Sequence, residues 1–205
     1  MNEEKMKALV LVCSLSKSPA ESSSELLAKQ LLTELSQYNV DGTIIRAVDH
    51  DIKPGVGLDM GDGDDWPKIR MQIMESDILI LATPIWVGHP CSVAQRIIER
   101  LDAELSEADD EGRLMTYGKV AAVAVLGNED GAHKVCADMF QALNDVGFTL
   151  PAASGTYWVG EAMNKIDYKD LKETPEMVVK SNKSLCSNVA HLARLLKNNP
   201  YPPAN

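Results

Sequence analysis

The chain has no excess of positive charge. It carries 20 Lys and Arg against 30 Asp and Glu, a net charge of −10. Phosphodiester binding needs a basic field, so a nucleic-acid partner is excluded, and so is an anionic membrane surface. Long apolar runs are also missing; none approaches the roughly 18 residues of a membrane span. Met1–Lys7 has no net charge, and the apolar run behind it ends in Ser-Leu-Ser-Lys. Without a small-residue cleavage site this reads as a strand, not a secretion signal. Cysteine is sparse: residues 13, 91, 136 and 186, with no Cys-x-x-Cys pair. That excludes a dithiol redox motif and a zinc knuckle, and fits a reducing cytoplasm.

Several motifs are absent as well. There is no Gly-x-x-x-x-Gly-Lys phosphate loop, and Gly55-Val56-Gly57 has Met60 where a dinucleotide fingerprint needs its third glycine. The stretch from Asp51 to Asp65 is rich in Asp and Gly but lacks the ligand spacing and closing Glu of a calcium loop. It reads as a long solvated acidic loop, functional or mobile. No carboxylate pair, nucleophile-and-base set or metal-ligand spacing stands out. Catalysis by side chains alone is therefore poorly supported, and the weight shifts to a bound cofactor with no metal.

What is present is a regular alternation. Unbroken apolar runs at 7–13, 43–48, 78–81, 120–126 and 148–153 read as strands covered on both faces. Between them lie amphipathic helices with leucine-type residues spaced by four: Leu27, Leu31 and Leu35, then Val93, Ile97, Leu101 and Leu105, then Leu185, Val189, Leu192 and Leu196. Pro67 opens the second helix and Pro90 the third. Five strands alternating with five helices predict a doubly wound α/β fold, a five-stranded parallel sheet in the order 2-1-3-4-5. One domain is expected over residues 1–198, followed by a Pro-rich tail at 199–205.

Ligands in such sheets sit at the carboxyl ends of the strands, so four loops should converge there. The first, Ser14 to Ser24, contains Ser14, Ser16, Lys17, Ser22, Ser23 and Ser24 before a helix. Hydroxyls, one Lys and a helix N-terminus suit a phosphate monoester, although the serines at 22–24 could equally serve as caps. The second is Thr83-Pro84-Ile85-Trp86-Val87-Gly88-His89-Pro90. The third is Gly127-Asn128-Glu129-Asp130-Gly131, with His133 just beyond. The fourth, Gly155 to Gly160, holds Tyr157 and Trp158. Two of the three tryptophans thus fall at the ligand edge, where a planar aromatic ligand would use them; packing alone is the other explanation. His89 and His133 are candidate acids or bases, or simply solvent-facing side chains.

Together, the Ser-x-Ser-Lys and Ser-Ser-Ser segments, Ala-Thr-Pro-Ile-Trp-Val-Gly-His-Pro-Cys-Ser-Val and Gly-Asn-Glu-Asp-Gly-Ala-His resemble the flavodoxin-like NAD(P)H-dependent FMN reductases. The group resembled includes WrbA-type flavodoxins and iron–sulfur flavoproteins. The resemblance implies FMN as cofactor and NAD(P)H as transient co-substrate, with a quinone, a nitro or azo compound or a flavin as small-molecule acceptor. It places the serines and Lys17 at the phosphate, Thr83 to Gly88 along the isoalloxazine, and Gly127 to Gly131 on its far side, with Tyr157 and Trp158 as a fourth wall. It also implies a homodimer or homotetramer. The loop after strand two has no cysteine, so the cluster of the iron–sulfur members has no thiolate ligands here. The alternative is a flavodoxin-type carrier passing electrons between proteins without NAD(P)H activity of its own.

Overall fold

The computed structural model describes residues 4–203. Its strands are β1 (Met6–Val12), β2 (Val40–Arg46), β3 (Ile78–Trp86), β4 (His89–Pro90), β5 (Val120–Gly127) and β6 (Gly155–Val159). Its helices are α1 (Ser23–Ser36), α2 (Trp66–Met74), α3 (Ser92–Leu101), α4 (Ala132–Asp145) and α5 (Glu176–Asn198). The parallel sheet runs β2-β1-β3-β5-β6, with β4 paired only to β3. Setting aside that two-residue strand, this is the expected flavodoxin-like order.

Successive side chains of a strand point to opposite faces, and here both faces are apolar. Leu9, Leu11, Leu79, Leu81, Val123 and Val125 meet α2, α3 and α4 on one side. Val10, Val12, Ile78, Ile80, Ala122 and Ala124 meet α1 and α5 on the other. The central strands therefore read as continuous apolar runs. Their burial, at about 25 cal/mol per Å² of apolar area, supplies the main drive to fold.

Four expectations need correction. The last strand is Gly155–Val159, not 148–153: Pro151 lacks a donor, Ala153 has φ 55°, and only Thr149 forms an isolated bridge, to Val120. Tyr157 and Trp158 are therefore strand residues rather than loop residues. The second strand lies earlier, at 40–46, because residues 47–49 coil into a 3₁₀ turn. The Thr-Pro-Ile-Trp segment is not a loop either. β3 continues through Trp86, turns at Val87 (φ 52°) and Gly88 (φ 70°), and returns as β4, with Trp86 opposite His89. Positive φ at both turn residues matches the twist of a two-residue hairpin. Pro90 belongs to that hairpin; α3 starts at Ser92, and Leu105 sits in a 3₁₀ turn beyond its end.

The acidic loop is the fourth correction, because it is folded around a buried ion pair. Arg100, fully buried at the end of α3, donates to the carbonyls of Lys53 and Gly57 and to Asp64 Oδ2 at 2.7 Å. Asp64 in turn accepts the backbone N–H groups of Lys53, Met60 and Trp66. The guanidinium lies 5.5 Å from the Trp66 ring centroid. Composition counts the Asp residues but is silent on which one turns inward.

The tail beyond α5 is also anchored. The Tyr201 ring packs at a tilt against Tyr117, centroids 5.5 Å apart, and its carbonyl accepts from Arg113.

Candidate functional site

At the carboxyl ends of β1, β3 and β5 lies a hollow of about 450 Å³. One end is lined by Ser14, Ser16, Ser22, Ser23 and Ser24. Ser22 is the N-cap of α1, its Oγ accepting from Glu25 N at 3.3 Å, so the capping reading holds for that residue. A cap hydroxyl stands beside the free N–H groups of the first turn, where an anion is favoured. Behind the loop, buried Arg46 donates to the carbonyls of Ser16 and Ala20 and pairs with Glu25. The Glu25 carboxyl is held below its usual range, first by its hydrogen bond to Lys29 and also by Arg46. Arg46 thus shapes the loop from outside the hollow.

The other end is lined by Pro84, Ile85 and Trp86 of β3, by Leu126 and Gly127 of β5 with Asn128 and Glu129 beyond it, and by Trp158 of β6. Two contacts lock these loops together. Glu129 accepts the Gly88 N–H at 3.0 Å. A Cβ on Gly131 (φ 120°) would come within 2.9 Å of Gly88 Cα, so only glycine permits this backbone approach. Asn128 Nδ2 donates to Asp167 at 2.9 Å, while its Oδ1 is buried with no partner.

A strap over residues 161–170 roofs one side, with Ala162, Met163, Asn164, Asp167, Tyr168 and Lys169 against the hollow. It is pinned by Asn128–Asp167, by Lys169 N to Ser23 Oγ at 3.2 Å, by Tyr168 OH to Gln30 at 2.6 Å, and by the Trp158 and Tyr168 rings, packed at a tilt with centroids 5.5 Å apart. The strap, like Glu21 and Arg46, escaped the sequence reading. It has no periodic pattern, and its position follows only from α5 returning beside α1.

Other expected residues lie elsewhere. Lys17 is exposed and does not line the hollow, nor do Thr83, Val87, Gly88, Asp130, Gly131, Tyr157 and His133. Thr83 is fully buried and accepts from Cys91 N at 3.2 Å, fixing the entry into α3. His133 Nε2 and Tyr157 OH are 2.9 Å apart on the outer face. His89 Nδ1 sits 3.1 Å from Lys134 Nζ, which is paired with Asp138. Beneath the hollow, burial pushes the Cys13 thiol well up, with Cys91 adding to it, so Cys13 is no nucleophile at neutral pH.

The donor set can be tested against a flavin mononucleotide. Hydroxyls and helix N–H groups at one end suit a phosphate. Half-exposed Trp86 and partly buried Trp158 at the other suit a planar ring. The unpartnered Asn128 Oδ1 is an acceptor awaiting an N–H. The residues fit the group.

Comparison with known proteins agrees. The chain is 31% identical over 206 residues to the 8-demethyl-8-aminoriboflavin-5′-phosphate synthase of Streptomyces davaonensis, covering 96% of this chain and 80% of that protein. It superposes on RosB with its bound intermediate 8-demethyl-8-formylriboflavin-5′-phosphate at a TM-score of 0.85 and 30% identity, covering 96% of this chain and 82% of that one. It is also 31% identical over 199 residues to a Mycobacterium bovis protein named divalent metal cation transporter MntH, but spans 29% of that protein's length. Residues 6–164 match the family described as NADPH-dependent FMN reductase. The chain therefore belongs to the NADPH-dependent FMN reductase family, as a flavodoxin-like enzyme of FMN-dependent oxidoreduction with NAD(P)H as reductant.

Proposed function

We propose that this protein passes electrons from NAD(P)H, through FMN held in the 450 Å³ hollow, to a quinone, a nitro or azo compound or a free flavin. The observation that carries this reading is the pairing of hydroxyls and a helix N-terminus with two tryptophans in one hollow. When bound, FMN supplies the hydride-accepting and electron-releasing chemistry. The chain supplies position. Ser14, Ser16 and Ser22 to Ser24, with the first N–H groups of α1, would hold the phosphate. Pro84 to Trp86 and Gly127 to Glu129 would hold the ring, and the strap would exclude water. Asn128, oriented by Asp167, would offer its Oδ1 as an acceptor. His89 and His133 do not line the hollow, so a proton for the reduced acceptor would come from solvent.

Anaerobic mixing of the flavin-loaded protein with NADPH or NADH should bleach the flavin band. Persistence of the band with both reductants would leave the carrier reading in place. The RosB likeness favours a second reading, in which FMN is the substrate and its ring is chemically altered. Mass spectrometry of the flavin after incubation separates the two: under our reading its mass does not change.

Trp86 is 55% exposed in the free protein, so ring stacking should bury it. Trp86→Ala should weaken FMN binding about tenfold, from roughly 1.5 kcal/mol of lost aromatic contact and apolar burial. Fluorescence titration with FMN measures this, and an unchanged affinity would assign Trp86 to packing alone.

The buried free thiols and the absence, among the described residues, of a helix able to cross a membrane support a reducing, cytoplasmic setting. A homodimer or homotetramer is read directly by light scattering.

A further inference from the structure

The flavin hollow is short of positive charge. Its charged lining residues are the carboxylates Glu21, Glu129 and Asp167 and the ammonium of Lys169. Among the described residues, Lys169 is thus the one Lys or Arg in the lining; Lys17 lies outside it, and Arg46 works from behind the loop. Lys169 sits at the serine end, where its backbone N–H donates to Ser23 Oγ at 3.2 Å. Its Nζ donates to Asp170 at 2.7 Å and stands 3.9 Å from Glu21. The hydrogen bond to Asp170 holds the ammonium above its ordinary range, so it is charged at neutral pH. Both partners are open to water: the Glu21 side chain is 84% exposed and that of Asp170 45%, and ion pairs of that kind bind weakly. An ammonium has three N–H donors, so the bond to Asp170 leaves two. A second hollow, about 710 Å³, lies between α3 and α4 and shares Leu15 and Trp86 with the first. Its lining holds His89 and Asp138 but neither Lys nor Arg, and none of the serines at 14–24.

We propose that Lys169, carried on the strap, is a phosphate-binding residue, and that its ammonium exchanges Glu21 for the flavin phosphate as the ligand enters. The inference rests on FMN occupying this hollow and is independent of the electron acceptor. Lys169 lies beyond the 6–164 stretch that matches the family. The net field does not draw the phosphate in, because Asp170, Glu21 and Asp167 outnumber the ammonium they surround. The contribution is local. The serine hydroxyls and the first N–H groups of α1 are neutral donors, and Lys169 adds the charge-assisted one, which is shorter and stronger. Without it, a phosphate dianion would face carboxylates alone. Glu21 takes the opposing role: it competes for the ammonium and repels the phosphate. The two side chains together set how tightly a phosphate monoester is held.

The test is equilibrium titration of the flavin-free full chain with FMN and with riboflavin, read by flavin fluorescence. Lys169→Met, or Lys169→Gln where that protein does not fold, should weaken FMN about tenfold to hundredfold, the span of one hydrogen bond to a charged group, and riboflavin less than about twofold. Lys169→Arg should bring FMN back to within about threefold of the unaltered chain, since the charge is kept and only its shape differs. Glu21→Gln should tighten FMN about threefold, as expected for loss of an exposed like charge, and leave riboflavin unchanged. Riboflavin also reports the folding of each variant, because it uses the ring end alone. An equal loss for both flavins assigns Lys169 to holding the strap and overturns the proposal, as does unchanged FMN affinity without the ammonium. Unchanged or weaker FMN binding in Glu21→Gln overturns the exchange. Absence of saturable binding of either flavin by the unaltered chain is a separate result, which overturns the flavin reading and this inference with it.

Discussion

Replacing Arg100 by leucine should lower the stability of the fold by about 3–5 kcal/mol, measured as a shift of the urea midpoint. Removing one member of a buried, hydrogen-bonded pair leaves the other charge uncompensated, and that is where the loss arises. Here Asp64 would keep three backbone donors but lose its only guanidinium, and the carbonyls of Lys53 and Gly57 would lose their donor. A loss under 1 kcal/mol would show that the 51–65 segment is held by other contacts. The same pair makes a pH prediction. Burial pulls the Asp64 carboxyl upward, but the Met60 N–H, Arg100 and the Trp66 and Lys53 N–H groups outweigh it and bring it down to about 2 from an ordinary 3.8. A carboxyl depressed in the folded state stabilises above its unfolded pKa and stops doing so as pH falls through the folded one. The chain should therefore lose about 2 kcal/mol between roughly pH 4 and pH 2 from this group alone. Asp64→Asn should be less stable at pH 7 and show a flatter acid limb.

Ser23→Asp should weaken FMN binding by about 30-fold to 1,000-fold while leaving the fold intact. A carboxylate in the first turn of α1 favours the helix dipole, so the helix itself gains slightly. The same charge faces the phosphate site, where repulsion at about 4 Å and an effective dielectric near 20 amounts to roughly 2–4 kcal/mol after screening. Riboflavin, which has no phosphate, should lose much less. A parallel loss for both flavins would locate the phosphate away from the serine loop. Salt should narrow the difference in FMN affinity, as expected of a partly exposed charge pair.

The sheet was legible because β1, β3 and β5 are buried on both faces, and such burial writes itself as uninterrupted apolar runs. The last strand was not, because Phe148 and Leu150 look like strand residues while Gly155–Val159, edge-facing and aromatic, looks like a loop. Pro151 decides the matter through its missing N–H, which composition alone undervalues. At the site, the serines and the Pro84–Trp86 segment stood out as unusual residue types at strand ends. Glu21, Asp167 and Lys169 did not, since single charges in an irregular segment look the same whether they meet solvent or a ligand. Lys17 illustrates the converse: the only Lys in the serine loop, it is exposed and does not line the hollow that the hydroxyls line.

Trp86 forms part of two hollows, so occupancy of one changes the surface that the other presents. Thermodynamic reciprocity then sets a rule: whatever factor a ligand in the second hollow imposes on FMN affinity, FMN must impose on the affinity of that ligand. The indole at that wall also makes the coupling observable without labels. Trp66 is buried and lines neither hollow, so the ligand-dependent change in tryptophan emission should originate at Trp86 and Trp158, and of these two only Trp86 also faces the second hollow.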